Sequence, residues 1–385
     1  MQEAPNSQRA LLLSLGVATF MVGLDGRVVA PLLPTIAADF GISIADAGWL
    51  VSAYMLPYGF CQLAYGQLAE RFGKIRVATH AMLWFSVGTA LCGAFDSFAM
   101  IVLLRALTGA AAAGLIPLTI AYIGDTVPYE RRQATLAMLV ASAGAAQAFS
   151  TSAGGVIAAV VSWKHVFPIL GLLAGGATLA LFAYRKREIR AVVDPELPPP
   201  TARDALRAPG MLRLLALVAF EGSLFMGGFS FLSGLLEQRF QLDASAIGLI
   251  LGSAGVSQVV AARILPRLLQ RMSERQLIAV GGSCMASALL LSAAAQHWSL
   301  IVTSCVMIGL GFSMCHSTLQ TRATEAFARA RGTALSLFAF ALFSGSALGT
   351  VCVGYASEAL GYGVTFSLLG VLMFGFTLLA ARVSP

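Results

Sequence analysis

The sequence predicts an all-α membrane protein of twelve transmembrane helices in two pseudo-symmetric six-helix bundles. Three observations carry this. Of 385 residues, 58% are hydrophobic and 11% charged, with a mean hydropathy of +0.81; soluble domains carry about 25% charged residues. The apolar residues form unbroken runs long enough for a bilayer core, which takes about 20 helical residues, and such runs suit helices rather than a barrel. The basic residues crowd into alternate loops.

In chain order the spans cover 10–38, 45–70, 76–95, 98–124, 131–160, 164–184, 210–236, 243–268, 274–295, 298–321, 331–355 and 361–382. The first continues past Asp25 and Arg27, too long for the apolar core of a signal peptide. Of 25 basic residues, twenty lie at one set of ends: Arg9, Arg71, Lys74, Arg76, Arg131, Arg132, Arg185, Lys186, Arg187, Arg190, Arg203, Arg207, Arg213, Arg267, Arg271, Arg275, Arg322, Arg329, Arg331 and Arg382. Lys164 and Arg239 lie at the other set, and Arg27, Arg105 and Arg263 lie within or near spans. Basic loops stay in the cytoplasm, so both termini are expected inside. The same loops account for the net charge of +7, so no nucleic-acid partner is implied.

Segment 186–209 holds Pro195, Pro198, Pro199, Pro200 and Pro209 with mixed charge. It reads as a cytoplasmic linker between a bundle at 1–185 and a bundle at 210–385. The bundles echo each other at an offset of 199: Arg132-Gln-Ala-Thr-Leu136 recurs as Arg331-Gly-Thr-Ala-Leu335, and Phe167 recurs as Phe366. Duplicated bundles around a midplane site are how many transporters are built.

Between the second and third spans lies Gly66-Gln-Leu-Ala-Glu70-Arg71-Phe-Gly73-Lys74. Gly66 would let a neighbouring helix approach closely. Gly73 suits a turn with φ > 0. Glu70 can face the positive N-terminus of a nearby helix, and Arg71 and Lys74 can pair with that acid and fix the loop inside. This stretch resembles the loop between helices 2 and 3 of the major facilitator superfamily. The fourth span opens Arg105-Ala-Leu-Thr-Gly109 and runs on to Gly114, and is similar to that family's fourth-helix motif. Ser150-Thr-Ser-Ala-Gly154-Gly155 matches part of the fifth-helix pattern of its drug antiporters, without the Gly-Pro. His316-Ser-Thr-Leu-Gln320 and Arg331 to Phe338 resemble the twelve-span drug:proton antiporters and sugar-efflux permeases. The resemblance covers about 10–382 and implies a secondary transporter working by alternating access, a proton-coupled exporter of a small lipophilic or cationic molecule. Uptake of an organic anion held by Arg27 or Arg105 is the alternative, and an enzyme or receptor on a transporter scaffold a remoter one.

Charged residues in spans are expensive and mark function. Asp25 and Glu221, in the pseudo-equivalent first and seventh spans, with Arg105, are the candidate proton-coupling groups. An acid in an apolar span can change protonation as a nearby arginine moves. Asp25 and Arg27 stand about 200° apart around a helix, so one faces the cavity and the other a neighbouring helix. Tyr54, Tyr58 and Gln62, spaced by four, share one face, as do His316 and Gln320; with Arg27 these are the candidate substrate contacts. Gly66, Glu70, Arg71, Gly73, Lys74 and Arg131 are the candidate gating residues, with Glu70, Arg71 and Arg131 clustering in the outward-open state.

Six cysteines fall inside apolar runs without metal or redox spacing, the four histidines are scattered, and no phosphate-binding loop or metalloprotease motif occurs. No cofactor, metal or catalytic group is therefore expected; the partners are a small-molecule substrate, protons and the lipid bilayer, with the chain as a monomer. The topology is checked by cysteine labelling in a background lacking the native cysteines. Ser43→Cys and Glu358→Cys should react with an impermeant thiol reagent added outside intact cells, and Arg203→Cys should not.

Overall fold

A computed structural model describes residues 4–184, 202–327 and 330–382. Among them every regular element is a helix. In order these are α1 (Ala4–Val28), a short 3-10 turn (Ala30–Leu32), α2 (Leu33–Phe40), α3 (Ile44–Ala47), α4 (Trp49–Phe72), α5 (Lys74–Leu91), α6 (Phe98–Ala112), α7 (Leu115–Thr126), α8 (Tyr129–Val160), α9 (Trp163–Tyr184), α10 (Ala202–Leu206), α11 (Met211–Phe240), α12 (Ala244–Leu269), α13 (Glu274–Ala294), α14 (Trp298–Ala326) and α15 (Arg331–Arg382). Pro31 and Pro34 break the first span into α1 and α2, because each ring removes a backbone donor. The fourth span is split between α6 and α7 at Gly114. Eight segments are long and apolar enough to cross a membrane, and the 52-residue α15 holds two spans in one.

The last two spans were expected to be separated by a loop at 355–361. Instead helix runs on to Gly361, whose φ of 78° makes the bend. Glycine reaches that angle without a Cβ clash, so one residue replaces a loop. Most of the linker expected at 186–209 lies outside the described residues; its end forms α10. Helix starts follow local chemistry. Ser43 and Asp243 cap α3 and α12 by accepting from the Asp46 and Ala246 amides, and Ser273 and Gln276 form a reciprocal box at α13.

The two ends of the molecule differ. At the end bearing Ser43, Gln241 and Glu358, helices from the two sequence halves lock together. Glu358 accepts from the Ala45 amide (3.1 Å), Tyr355 donates to Asp46 (2.9 Å) and Ser52 donates to the Ala347 carbonyl (2.9 Å). Alongside, α8 and α12 cross on facing glycines. A Cβ on Gly155 would come within 3.0 Å of the Gly248 Cα and nearer still to the Ala244 carbonyl. At the opposite end, by Gly73, a Cβ on Gly66 or Gly332 would meet nothing within 4 Å. The halves are thus sealed together at the Ser43 end, and the cavity between them, lined as far as Gln62, Gln320 and Gly332, opens at the Gly73 end. The close helix approach expected at Gly66 is absent: a Cβ there would meet nothing within 4 Å.

The seal depends on glycine at Gly155. A Val there overpacks the crossing at about 1–3 kcal/mol, and 1.4 kcal/mol is tenfold in population. Ala45, buried in the seal against Gly354, reports on opening. In a cysteine-free background, thiol labelling of Ala45→Cys should speed up about tenfold when Gly155→Val is added. An unchanged labelling rate would show that the seal does not rely on this crossing.

Candidate functional site

Between the two sequence halves lies a cavity of about 480 Å³, within the range of small-molecule sites. Seven helices line it, with residues from Val22–Arg27 of α1, Tyr54–Gln62 of α4, Ile116–Ala121 of α7, Gln147 of α8, Met226 of α11, Phe312–Gln320 of α14, and Gly332–Phe343 of α15. Two larger grooves, of about 580 and 510 Å³, run over α4, α5 and α6 beside exposed Trp84, Leu68 and Leu107. Those side chains are exposed apolar surface, so we take the cavity between the halves as the candidate site.

All six candidate substrate contacts line this cavity: Arg27, Tyr54, Tyr58, Gln62, His316 and Gln320. The fourfold spacing of Tyr54, Tyr58 and Gln62 brings them onto the wall together. Tyr54 and Tyr58 stack at 6.0 Å, and Tyr58 meets Phe343 of the other half at 4.5 Å. The His316 ring lies on Phe312 at 4.4 Å and near-parallel, with Phe338 at 5.0 Å.

The three candidate proton-coupling groups are absent from the wall and sit behind it. Arg105 donates from Nη1 to Asp25 Oδ2 at 2.6 Å, and both side chains are buried, at 1% and 0% exposed. The guanidinium also reaches the Leu50 and Asp25 carbonyls at 3.4 Å and lies 4.2 Å from the Tyr54 ring centre. Buried in this way, Arg105 does not snorkel to the membrane interface. In the second half, Glu221 is buried and its Oε2 lies 3.0 Å from His316 Nδ1. Asp25 Oδ1 and Glu221 Oε1 are buried with no hydrogen-bond partner. Each acid therefore has one committed oxygen and one spare, with a cavity-lining ring, Tyr54 or His316, beside it.

The 200° separation of Asp25 and Arg27 is realised: Asp25 turns to α6 and Arg27 to the cavity. Arg27 lies 5.5 and 5.3 Å from the ring centres of Phe225 and Phe229 of α11, and its Nη2 is buried without a hydrogen-bond partner. Cation–π contacts contribute about 0.5–2 kcal/mol. A charge at the centre of a span costs about 2.5–3.5 kcal/mol. The rings alone therefore do not account for the arginine.

The gating candidates are spread along the open end. Gly73 has φ 95° and turns the chain between α4 and α5 as expected. Lys74 pairs with Asp125 at the end of α7 and not, as expected, with Glu70. Glu70, Arg71 and Arg131 are exposed, Arg71 lies over the Phe72 ring, and among the described residues no ion pair joins Glu70 to Arg71 or Arg131. Their expected cluster is not assembled in this structure. The sequence reading missed Phe225, Phe229, Phe312 and Gln147. Of these, Phe312 was within reach, one turn before His316 on the face shared with Gln320.

The sequence profile described as Major Facilitator Superfamily matches residues 15–350 and 215–385. YwfA of Bacillus subtilis, an uncharacterized MFS-type transporter, is 27% identical over 377 residues, covering 96% of this chain and 90% of YwfA. The multidrug export protein EmrB of Haemophilus influenzae is 32% identical over 157 residues, covering 41% of this chain and only 31% of EmrB. A bacterial homolog of the human lysosomal transporter Spinster, in its inward-facing and occupied conformation, superposes with a TM-score of 0.81 at 17% identity, covering 98% of this chain and 96% of that one. The chain belongs to the Major Facilitator Superfamily, and is a multi-pass membrane transporter.

Proposed function

We propose that this transporter is a proton-coupled exporter of a small lipophilic solute, working by alternating access between bundles 1–185 and 210–385 in a bacterial inner membrane. The observation that carries the reading is the cavity itself, sealed at one end, open at the other, with the Asp25–Arg105 pair directly behind its wall. The basic loops assign the open end to the cytoplasm, so this is the inward-open state. The cycle then closes the Gly73 end and parts the Ser43 end, and Glu70, Arg71 and Arg131 come together as the outward-open state forms. The name of EmrB, a multidrug export protein, supports the direction.

Asp25 carries the coupling proton in this reading. Ionised, it holds Arg105; protonated, it no longer balances that charge, and Arg105 must find other acceptors. Because Arg105 also rests on Tyr54, the protonation state reaches the cavity wall. Glu221 with His316 is the second acidic site. A proton can drive transport only through a difference in its affinity for the two states, and the breaking of a buried pair supplies one. A cationic solute is served less well than the sequence suggested, since neither acid lines the cavity. One observation favours a second reading, uptake of an organic anion with protons: the charged group on the wall is Arg27.

The coupling role is tested in liposomes with an imposed pH gradient. Asp25→Asn should abolish gradient-driven transport while the protein stays folded, and Glu221→Gln should reduce it less. Full gradient-driven transport by Asp25→Asn would remove the proton role from Asp25.

A further inference from the structure

We infer that the solute is an amphipathic organic anion, its acidic group on Arg27 and its apolar body along the aromatic wall. This rests on reading the cavity as the transport site and holds for either direction of transport. Among the described residues lining the cavity, Arg27 is the one with a fixed charge. The nearby acids are committed elsewhere, Asp25 to Arg105 and Glu221 to His316. Phe225 and Phe229 lie against the guanidinium, yet accept no conventional hydrogen bond, and Nη2 stays buried and unsatisfied. A buried cationic donor without an acceptor is costly, and a carboxylate or sulfonate would supply both acceptor and countercharge. A neutral solute leaves the charge unbalanced, and a cationic one is repelled.

The position of Arg27 orients such a molecule. Along α1 the lining residues run from Val22 to Arg27, and Arg27 is nearest the sealed end. The acidic group therefore enters first and sits at the roof. Below it, Tyr58 with Phe343 and His316 with Phe312 present ring surfaces from both halves to an apolar, planar body. Arg27 belongs to the first half and its two phenylalanines to the second, so the anion binds where the halves must part.

The test uses three matched probes on the purified full-length protein by titration calorimetry: 1-naphthaleneacetate, its neutral isostere 1-naphthaleneacetamide, and 1-naphthylmethylammonium. The acetate should bind at least about tenfold tighter than the other two, the scale of one charge-assisted hydrogen bond. Arg27→Gln should erase that margin and Arg27→Lys should keep part of it. Acetamide affinity should fall far less than acetate affinity in both variants, and its retention reports an intact cavity. No acetate binding, tighter binding of the ammonium, or a preference that survives Arg27→Gln would overturn the inference. The binding assay needs no gradient. An acetate preference without proton-driven transport would sink the coupling reading and leave this one standing.

Discussion

A buried ion pair holds the first half of this transporter together. Asp25 of α1 and Arg105 of α6 meet at 2.6 Å with almost no exposure. The same guanidinium reaches the Leu50 carbonyl and lies against Tyr54, so one arginine ties α1, α6 and α4. Removing either partner of such a pair costs about 3–5 kcal/mol, because the survivor is left charged and alone. That is why the pair can be structural and switchable at once. Protonation does to it what a mutation would do, but reversibly. Asp25 Oδ1, buried and unpartnered, leaves the pair short of a fully satisfied network.

The second half meets the same need differently. Glu221 lies opposite Asp25 in the pseudo-symmetric helix, yet its partner is His316 rather than an arginine. The equivalent offset of 199 from Arg105 falls on Ser304, so the duplication preserved the scaffold and not the pair. The scaffold echo is physical: Phe167 and Phe366, matched at that offset, are both fully buried. Around the cavity the aromatic wall draws on both halves, so its shape must change when they move. The glycine crossing of α8 and α12, the bonds from Glu358 and Tyr355, and the Phe231 ring against Gly48 and Gly354 together hold the sealed end.

Much of the architecture was legible in the sequence, because a bilayer imposes a length and the cytoplasm a charge. Spacing by four placed Tyr54, Tyr58 and Gln62 on one wall, and the 200° rule separated Asp25 from Arg27. What escaped was whatever depends on residues far apart in the chain or on the state of the cycle. Nothing near Arg27 in sequence announces Phe225 or Phe229, about two hundred residues away. Glu70 and Arg131 are not paired in this structure, and no motif states which end is open. Gly361 turns the chain alone where a loop was expected, because a single left-handed residue suffices.

The central claim is that the protonation of Asp25 sets which end of the molecule is sealed. Spin labels at Asp96 and Asp243, exposed at the Ser43 end on opposite halves, measure that directly by pulsed electron paramagnetic resonance. The distance distribution should shift between neutral and acidic pH in the otherwise unaltered protein, and in Asp25→Asn it should hold one distribution at both. An identical pH shift in Asp25→Asn, or no shift in either protein, would contradict the account.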